Sequence, residues 1–270
     1  MALQTIKNII KYMKVTFLGT GTSQGVPVIA CNCEVCRSLD YRDNRLRVSI
    51  HIEVENNEGE QKSFIVDTGA DFRQQCLRER ITKLDAVLYT HQHKDHTAGM
   101  DEVRSFNFSQ NKDMPIYARE EVLNQLKQEF AYIFADFKYP GIPQVETHII
   151  ENKPFEVEGI KIIPIEVLHY KLPVFGFRIN DFTYITDVNF ISDEELEKVK
   201  GTKILVLGAL QKEKHISHYT LEEAVEVIQK INPEKAYLTH ISHKMGLHKE
   251  VLEELPPTIE LAYDGLQVRL

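Results

Sequence analysis

The alternation of apolar and polar residues along the chain predicts many short strands separated by polar turns. Strands are expected over residues 14–18, 46–54, 63–66, 85–89, 115–118, 146–150, 160–168, 182–186, 203–207 and 236–239. Helical spacing of apolar residues is found instead over residues 71–80, 119–129 and 220–231. The last of these helices is expected to begin with a capping box formed by Thr220 and Glu223. Several of the strands end in a histidine or an aspartate, which directs attention to the turns that follow them.

Residues 1–13 carry apolar residues at helical spacing but are interrupted by Lys7 and Lys11. They lack the uninterrupted apolar core and the small-residue cleavage site of a signal peptide. Nowhere in the sequence do eighteen apolar residues run together, so no membrane-spanning helix is expected. We therefore expect a short helical extension over residues 1–13, followed by a single domain over residues 14–270, in a cytoplasmic protein.

Composition narrows the range of partners. The 270 residues are 43% hydrophobic, which is enough for a sizeable core, and the formal net charge is −8 at pH 7. Because proteins that bind extended nucleic acid do so through clusters of Lys and Arg, such a partner is not expected. A small anion remains compatible with the acidic chain if divalent metals supply positive charge in its binding site.

One stretch concentrates metal-ligating side chains, since it places three imidazoles and a carboxylate within six residues. Its sequence is Thr90-His91-Gln92-His93-Lys94-Asp95-His96. The stretch follows a predicted buried strand and precedes a helix that is expected to begin at Thr97. Histidine combined with carboxylate suits zinc, iron or manganese better than calcium. His91 and His93 can point the same way from an extended backbone, whereas Asp95 and His96 lie beyond a bend and can face a second metal.

Three further ligands are expected from distant strand ends. His169 follows the strand over residues 160–168 and is placed to join His91 and His93. Asp187 follows another strand, and its two carboxylate oxygens can bridge two metals. His240 follows a strand near the end of the chain and can complete a second site with Asp95 and His96.

A second cluster contains Cys31, Cys33 and Cys36, whose spacing allows three thiolates to share one zinc ion. Zinc prefers four ligands, and the best distant candidate for the fourth is His243, three residues after His240. Structural disulfides are not expected in a reducing compartment. Cys76 lies apart from the cluster in a predicted helix and is expected to be a buried small hydrophobe.

Taken in order, these motifs resemble the metallo-β-lactamase superfamily and, within it, the PhnP family of cyclic phosphodiesterases. The resemblance runs from about residue 14 to residue 270 and is carried by residues 19–27, Cys31-x-Cys33-x-x-Cys36, His91-x-His93-x-Asp95-His96, Thr186-Asp187, His218-x-Thr220-Leu221 and Thr239-His240-Ile241-Ser242-His243. It implies an α/β (α+β) fold, the four-layered αβ/βα sandwich. It also implies two catalytic divalent metals, manganese or zinc, one structural zinc ion and a possible homodimer.

The resemblance implies roles for individual residues. One metal is bound by His91, His93 and His169, the other by Asp95, His96 and His240, and both by Asp187; Cys31, Cys33, Cys36 and His243 hold the structural zinc. His218 is the proton donor and is grouped with Asp95 as catalytic. His215 lies on the same loop and is the rival of His218 for this role. The implied substrate is a small anionic phosphodiester, with cyclic ribose phosphates and 2′,3′-cyclic nucleotides as leading candidates.

Three alternatives share parts of this pattern. A thioesterase of the glyoxalase II kind also uses the histidine motif, but it lacks the cysteine cluster and the element containing His218. A transfer-RNA 3′-processing endonuclease shares phosphodiester chemistry, yet this chain has no long basic arm and a negative net charge. An accessory protein like the one in pyrroloquinoline quinone biosynthesis shares the cysteine motif; a degraded metal motif would favour it, and here every ligand is intact.

Overall fold

The structure, a computed structural model, describes residues 12–137 and 139–270. Within these ranges the chain forms fourteen strands. They are β1 (Met13–Gly19), β2 (Ser49–Glu55), β3 (Gln61–Val66), β4 (Ala86–Leu88), β5 (Met114–Ala118), β6 (Val145–Ile149), β7 (Phe155–Val157), β8 (Ile160–His169), β9 (Leu172–Ile179), β10 (Phe182–Ile185), β11 (Ile204–Gly208), β12 (Lys235–Thr239), β13 (Ile259–Leu261) and β14 (Gln267–Arg269).

Eight α-helices connect or flank these strands in the described part of the chain. They are α1 (Phe72–Glu79), α2 (Lys94–Thr97), α3 (Arg104–Gln110), α4 (Glu120–Glu129), α5 (Ala131–Phe134), α6 (Asp193–Val199), α7 (Leu221–Ile231) and α8 (His248–Glu254). Short 3-10 turns occur at Val35–Arg37, Tyr41–Asp43 and Met100–Val103.

The strands form two seven-stranded sheets with the orders β14-β1-β2-β3-β4-β5-β6 and β13-β12-β11-β10-β9-β8-β7. Strands β3 to β6 run parallel to one another in the first sheet, and strands β10 to β13 do so in the second. Because parallel strands end at the same edge of a sheet, the turns that follow them lie close together. This arrangement gathers the strand-end residues along one edge of the molecule.

The fold has four layers, two sheets with helices on the outer face of each, and an apolar cluster lies between each pair of adjacent layers. One cluster lies between the sheets and includes Phe64 and Val66 of β3 with Phe182 and Tyr184 of β10. A second packs the outer face of the first sheet against α1, α3 and α4, and a third packs the outer face of the second sheet against α7 and α8. Ile65 contributes to the outer cluster although its neighbours face inward, because side chains alternate between the faces of a strand. The four-layered αβ/βα sandwich predicted from the sequence is thereby confirmed.

The predicted strands are present with shifted ends, and the capping box of Thr220 and Glu223 at the start of α7 is confirmed. One prediction was wrong: the helix expected to begin at Thr97 begins at Lys94 and ends at Thr97. Asp95 and His96 therefore lie on a helical turn, which is closed by a hydrogen bond from Ala98 N to Lys94 O. The pattern did not reveal β7, β9, β13 and β14, nor helices α3, α5, α6 and α8.

Met13, assigned from the sequence to the N-terminal extension, is the first residue of β1 and is 2% exposed. It pairs with Val54 in β2. Tyr12 is in neither a helix nor a strand, and residues 1–11 of the expected helical extension lie outside the described residues. No described helix has the length and apolar character needed to span a membrane.

Candidate metal centre

The seven predicted ligands of the catalytic pair converge where strands of both sheets end. The loop after β4 carries His91 and His93, and α2 carries Asp95 and His96. From the second sheet come the last residue of β8, His169, and two residues placed just after β10 and β12, Asp187 and His240. Ligands far apart in sequence are thus brought to one site by the parallel direction of their strands.

The ligand atoms fall into two neighbouring groups. Those of His91, His93 and His169 lie within 4.8 Å of one another, as do those of Asp95, His96 and His240. Asp187 lies beside both groups: its two oxygens contact the second group, and one of them also approaches His169 of the first.

One carboxylate oxygen of Asp187, Oδ2, is 3.2 Å from His96 Nε2. The other, Oδ1, is 3.2 Å from His240 Nε2 and 4.0 Å from His169 Nε2. Such a placement suits a carboxylate that bridges two cations.

The backbone at this edge is turned sharply. Asp67, Asp187 and His240 have φ values of 65°, 47° and 59°, in the left-handed region that residues other than glycine seldom adopt. Each of these residues lies within two positions of the end of a strand, β3, β10 or β12. Strain of this kind is found at functional sites, where surrounding structure holds the chain in place. No signal in the sequence indicated it.

Hydrogen-bond acceptors on the side away from the candidate metal positions contact Nδ1 of two imidazole rings and orient them. Asp67 accepts hydrogen bonds from Thr90 N at 2.8 Å and from His96 Nδ1 at 2.7 Å. Asp67 is therefore an acceptor that steadies the histidine loop. His169 Nδ1 donates to the carbonyl oxygen of Ser217 at 2.9 Å. Such contacts fix the tautomer that leaves Nε2 available to a metal.

The charge balance of the centre fits a cation. Burial lowers the pKa of His91 and His93, which keeps both in the neutral form that binds metals. Burial alone would lower the pKa of His96, but Asp95, Asp187 and Asp67 hold it well above its ordinary value. Without a metal, a proton on His96 is therefore stabilised by surrounding carboxylates.

The unpaired nitrogen atoms point to the same conclusion. His96 Nε2 and His240 Nε2 are buried and make no hydrogen bond within the described residues, although carboxylate oxygens of Asp187 lie 3.2 Å from each. Unpartnered polar atoms in a protein interior require an explanation. A divalent cation at each group would provide it, so the donor set fits metals.

His218 lies against this centre from the second sheet. Its ring is 4.5 Å from that of His169 and 4.8 Å from that of His240, centroid to centroid. Its Nδ1 atom is 4.0 Å from Asp187 Oδ1. Burial, with the nearby His240 next in importance, lowers the pKa of His218 to about 2. His215, the rival from sequence, lies 5.2 Å from His218 by ring centroids and is more exposed.

The cysteine cluster is assembled as expected around His243. Its Nδ1 atom lies 3.2 Å from Cys31 Sγ, 3.3 Å from Cys33 Sγ and 3.5 Å from Cys36 Sγ. These four atoms lie within 4.8 Å of one another, as a tetrahedral metal site requires. A hydrogen bond from the backbone of Cys36 lowers the pKa of the Cys33 thiol to about 6, whereas burial raises that of Cys36 to about 11.

Comparisons with known proteins agree with this geometry. The family described as "Beta-lactamase superfamily domain" matches residues 62–241. A solved structure titled as a new diphosphatase from the PhnP family is 40% identical, with a TM-score of 0.88, and the match covers 96% of this chain and 97% of that one.

Curated relatives extend beyond the matched region. An octanoyltransferase of Porphyromonas gingivalis is 37% identical over 257 residues, which are 94% of this chain and 51% of that protein. A ribonuclease Z of Staphylococcus epidermidis is 27% identical over 172 residues, 62% of this chain and 49% of that protein. This chain therefore spans about half the length of the curated relatives that it matches.

Proposed function

Because this chain belongs to the beta-lactamase superfamily and, within it, to the PhnP family, we propose that it is a metal-dependent hydrolase of small phosphate esters. The observation that carries the proposal is the approach of Asp187 to both groups of candidate ligands, 3.2 Å from His96 and His240 and 4.0 Å from His169. A single carboxylate that reaches both groups suits a pair of metals, which is the arrangement used in many phosphoester hydrolases.

In the proposed assignment, His91, His93 and His169 would hold one metal, and Asp95, His96 and His240 would hold the other. Asp187 would serve both. When bound, the two ions, manganese or zinc, would polarise the phosphoryl group and generate a nucleophile from water at neutral pH. Asp95 acts here as a ligand, and the residues behind the rings, Asp67 among them, keep the imidazoles oriented.

His218 is proposed to donate the proton to the leaving oxygen. The contacts that support this role are its position beside His169 and His240 and its 4.0 Å distance from Asp187 Oδ1. A pKa of about 2 leaves the ring neutral at pH 7 in the ligand-free centre. A phosphate anion beside the ring would raise the pKa of His218, because a nearby negative charge favours the protonated form. The proton would thus be taken up as the substrate binds.

The proposed substrate is a small anionic phosphodiester, whose leaving oxygen is a sugar hydroxyl. Cyclic ribose phosphates and 2′,3′-cyclic nucleotides are favoured by the family resemblance. A diphosphate linkage is a second candidate, because the PhnP-family structure that is 40% identical is titled a diphosphatase. In both linkages the phosphorus belongs to an anionic phosphate group with two substituted oxygens, so the same residues could bind and hydrolyse either one. A homodimer is proposed from the family resemblance alone.

The other candidates have weaker support. The octanoyltransferase that matches this chain is about twice as long, so its named activity can reside outside the matched half. Ribonuclease Z is 27% identical over only 62% of this chain, and the formal net charge of −8 disfavours transfer RNA as a substrate. A thioesterase would not need the cluster of Cys31, Cys33, Cys36 and His243.

The deciding experiment combines metal analysis with a panel of substrates. The purified protein, loaded with manganese or zinc, would be assayed with bis(p-nitrophenyl) phosphate, a 2′,3′-cyclic nucleotide, a dinucleoside diphosphate and an octanoyl thioester. We expect two metals in addition to one zinc ion, and turnover of at least one phosphate substrate. Turnover of the thioester alone would refute the proposal.

A further inference from the structure

A groove with a volume of about 520 Å³ lies on the outer side of the first sheet, between α1 and α3. Its floor is apolar. Phe72 and Phe106, which are 1% and 6% exposed, contribute rings whose centroids are 6.5 Å apart, and Ile81 and the thiol of Cys76 lie beside them. A volume of this size falls in the range of small-molecule sites.

Two arginines stand at the rim of this groove. Arg73 and Arg80 are spaced with Leu77 at intervals of four and three residues, so the three share one side of α1 and its C-terminal cap. Leu77 is 61% exposed. Throughout residues 12–137 and 139–270, no group pairs with either guanidinium. Arg78, on the same helix, is by contrast paired with Asp264 at 3.2 Å.

The charge of the groove is opposite to that of the whole protein. Glu102 is the one carboxylate among the lining residues that the structure describes, against the two arginines. The chain as a whole has a formal net charge of −8. A locally positive rim above an apolar floor discriminates in favour of ligands that carry a negative head and an apolar tail.

We propose that this groove binds a single-chain amphipathic anion, such as a medium-chain fatty carboxylate. The head group would lie between Arg73 and Arg80, whose planar guanidinium groups can each donate two parallel hydrogen bonds to a carboxylate. The tail would lie on Phe72, Ile81 and Phe106. None of the lining residues is a proposed metal ligand or proton donor. Failure of this proposal would therefore leave the proposed hydrolase function unaffected, and the reverse also holds.

Calorimetric titration of the metal-loaded, full-length protein with decanoate would test the site, using decan-1-ol and decyltrimethylammonium as matched neutral and cationic probes. All three would be kept below their micelle concentrations. We expect decanoate to bind at least about tenfold more tightly than either of them. The double variant R73Q/R80Q should weaken decanoate binding about tenfold or more, because charge-assisted hydrogen bonds to the head group are lost. The control R269Q, at an exposed position on β14, should bind decanoate as the wild type does.

A second measurement locates the ligand. Cys76 lines the groove, so decanoate should slow its alkylation by iodoacetamide several-fold in the wild type but not in R73Q/R80Q, as followed by mass spectrometry. Equal decanoate affinity in R73Q/R80Q and the wild type would overturn the proposal, as would equal affinity for decan-1-ol. Binding to anionic phospholipid vesicles without binding of free decanoate would also overturn it, by assigning the surface to a membrane.

Discussion

The rings of His218 and His240 are stacked, with centroids 4.8 Å apart and an angle of 18° between their planes. His240 is a proposed metal ligand, whereas His218 approaches the same edge from the loop before α7. An imidazole nitrogen of His218, one of His169 and a carboxylate oxygen of Asp187 also lie within 4.8 Å of one another, close enough to form a metal-binding group of their own. His218 is therefore placed either to donate a proton or to bind a metal.

Replacing His218 separates the two roles. His218→Ala should lose about 10²–10⁴-fold in kcat, because a positioned proton donor contributes a factor of that size. It should keep both catalytic metals, since His91, His93 and His169, with Asp187, complete one site without it. Metal content by plasma mass spectrometry and kcat with bis(p-nitrophenyl) phosphate would be measured together.

The matched control for this variant is His215→Ala, whose ring lies 5.2 Å from that of His218. We expect its kcat to fall much less. Loss of one metal in His218→Ala would instead make His218 a ligand. A larger loss of kcat in His215→Ala than in His218→Ala would transfer the role of proton donor to His215.

Asp67 is expected to control metal affinity without touching the metals. Its carboxylate accepts from His96 Nδ1 at 2.7 Å, and removal of such an acceptor commonly weakens metal binding about 10–100-fold. Asp67→Asn should therefore raise the metal concentration needed for half-maximal activity by that factor. Asp181→Asn removes a surface carboxylate paired with Lys203 and serves as the control. Equal metal dependence in the two variants would show that Asp67 does not orient the ligand.

The residues of the candidate centre could be predicted because most of them follow strands with strong apolar patterns. His169, Asp187 and His240 each come at or just after such a strand, and parallel strands of one sheet end at the same edge. The cysteine cluster was visible because its thiols are close in sequence. Its partner His243 is 212 residues from Cys31, but it could be found because it lies three residues after His240.

Other features could not be predicted, for identifiable reasons. Strand β9 contains Pro173 and Gly176, which interrupt the strand pattern; a Cβ atom at Gly176 would lie 2.7 Å from Ile185 Cγ1. Strand β14 is three residues long and is defined by pairing such as Arg269 with Lys14, at the other end of the chain. The acceptor for His169 is the backbone carbonyl of Ser217, and any residue type could supply a carbonyl.

The stability of the fold should depend on pH through His51, which is remote from the proposed ligands. This ring is 7% exposed and lies 2.8 Å from Ser63 Oγ, and burial lowers its pKa to about 4. In the unfolded chain its pKa returns to about 6.5. Between these values the unfolded state binds more protons, so the free energy of unfolding falls as pH falls, by up to about 1.4 kcal/mol per pH unit.

His51→Gln removes the titrating group but retains a hydrogen-bond donor for Ser63. Urea unfolding between pH 4.5 and pH 7.5 should give a shallower loss of stability at low pH for the variant than for the wild type. Both proteins share every other titrating residue, so the difference between the two profiles isolates His51. Parallel profiles would mean that His51 is protonated as readily in the fold as in the unfolded chain.

The cysteine cluster should stabilise the turn that carries a catalytic ligand. Cys33 is exposed, and its sulfur lies 3.3 Å from His243 Nδ1, while His240, three residues earlier, belongs to the other centre. Cys33→Ser should lose the structural zinc ion, because a serine hydroxyl is a poor zinc ligand. A zinc ion held by residues 31–36 and 243 binds the folded chain and not the unfolded one, so its loss should lower the melting temperature by about 2–4 °C for each kcal/mol of stability lost.

Cys76→Ala provides the matched control, since this thiol lies outside the cluster. It should retain one zinc ion per chain after extensive dialysis, whereas Cys33→Ser should retain none at that site. Without zinc, His243 would no longer be fixed, and the turn that carries His240 would become less ordered. Cys33→Ser should therefore also need more metal than Cys76→Ala to reach half-maximal activity. If Cys33→Ser kept its zinc and its melting temperature, the cluster would not be a structural site, and the proposed coupling between His243 and His240 would have to be abandoned.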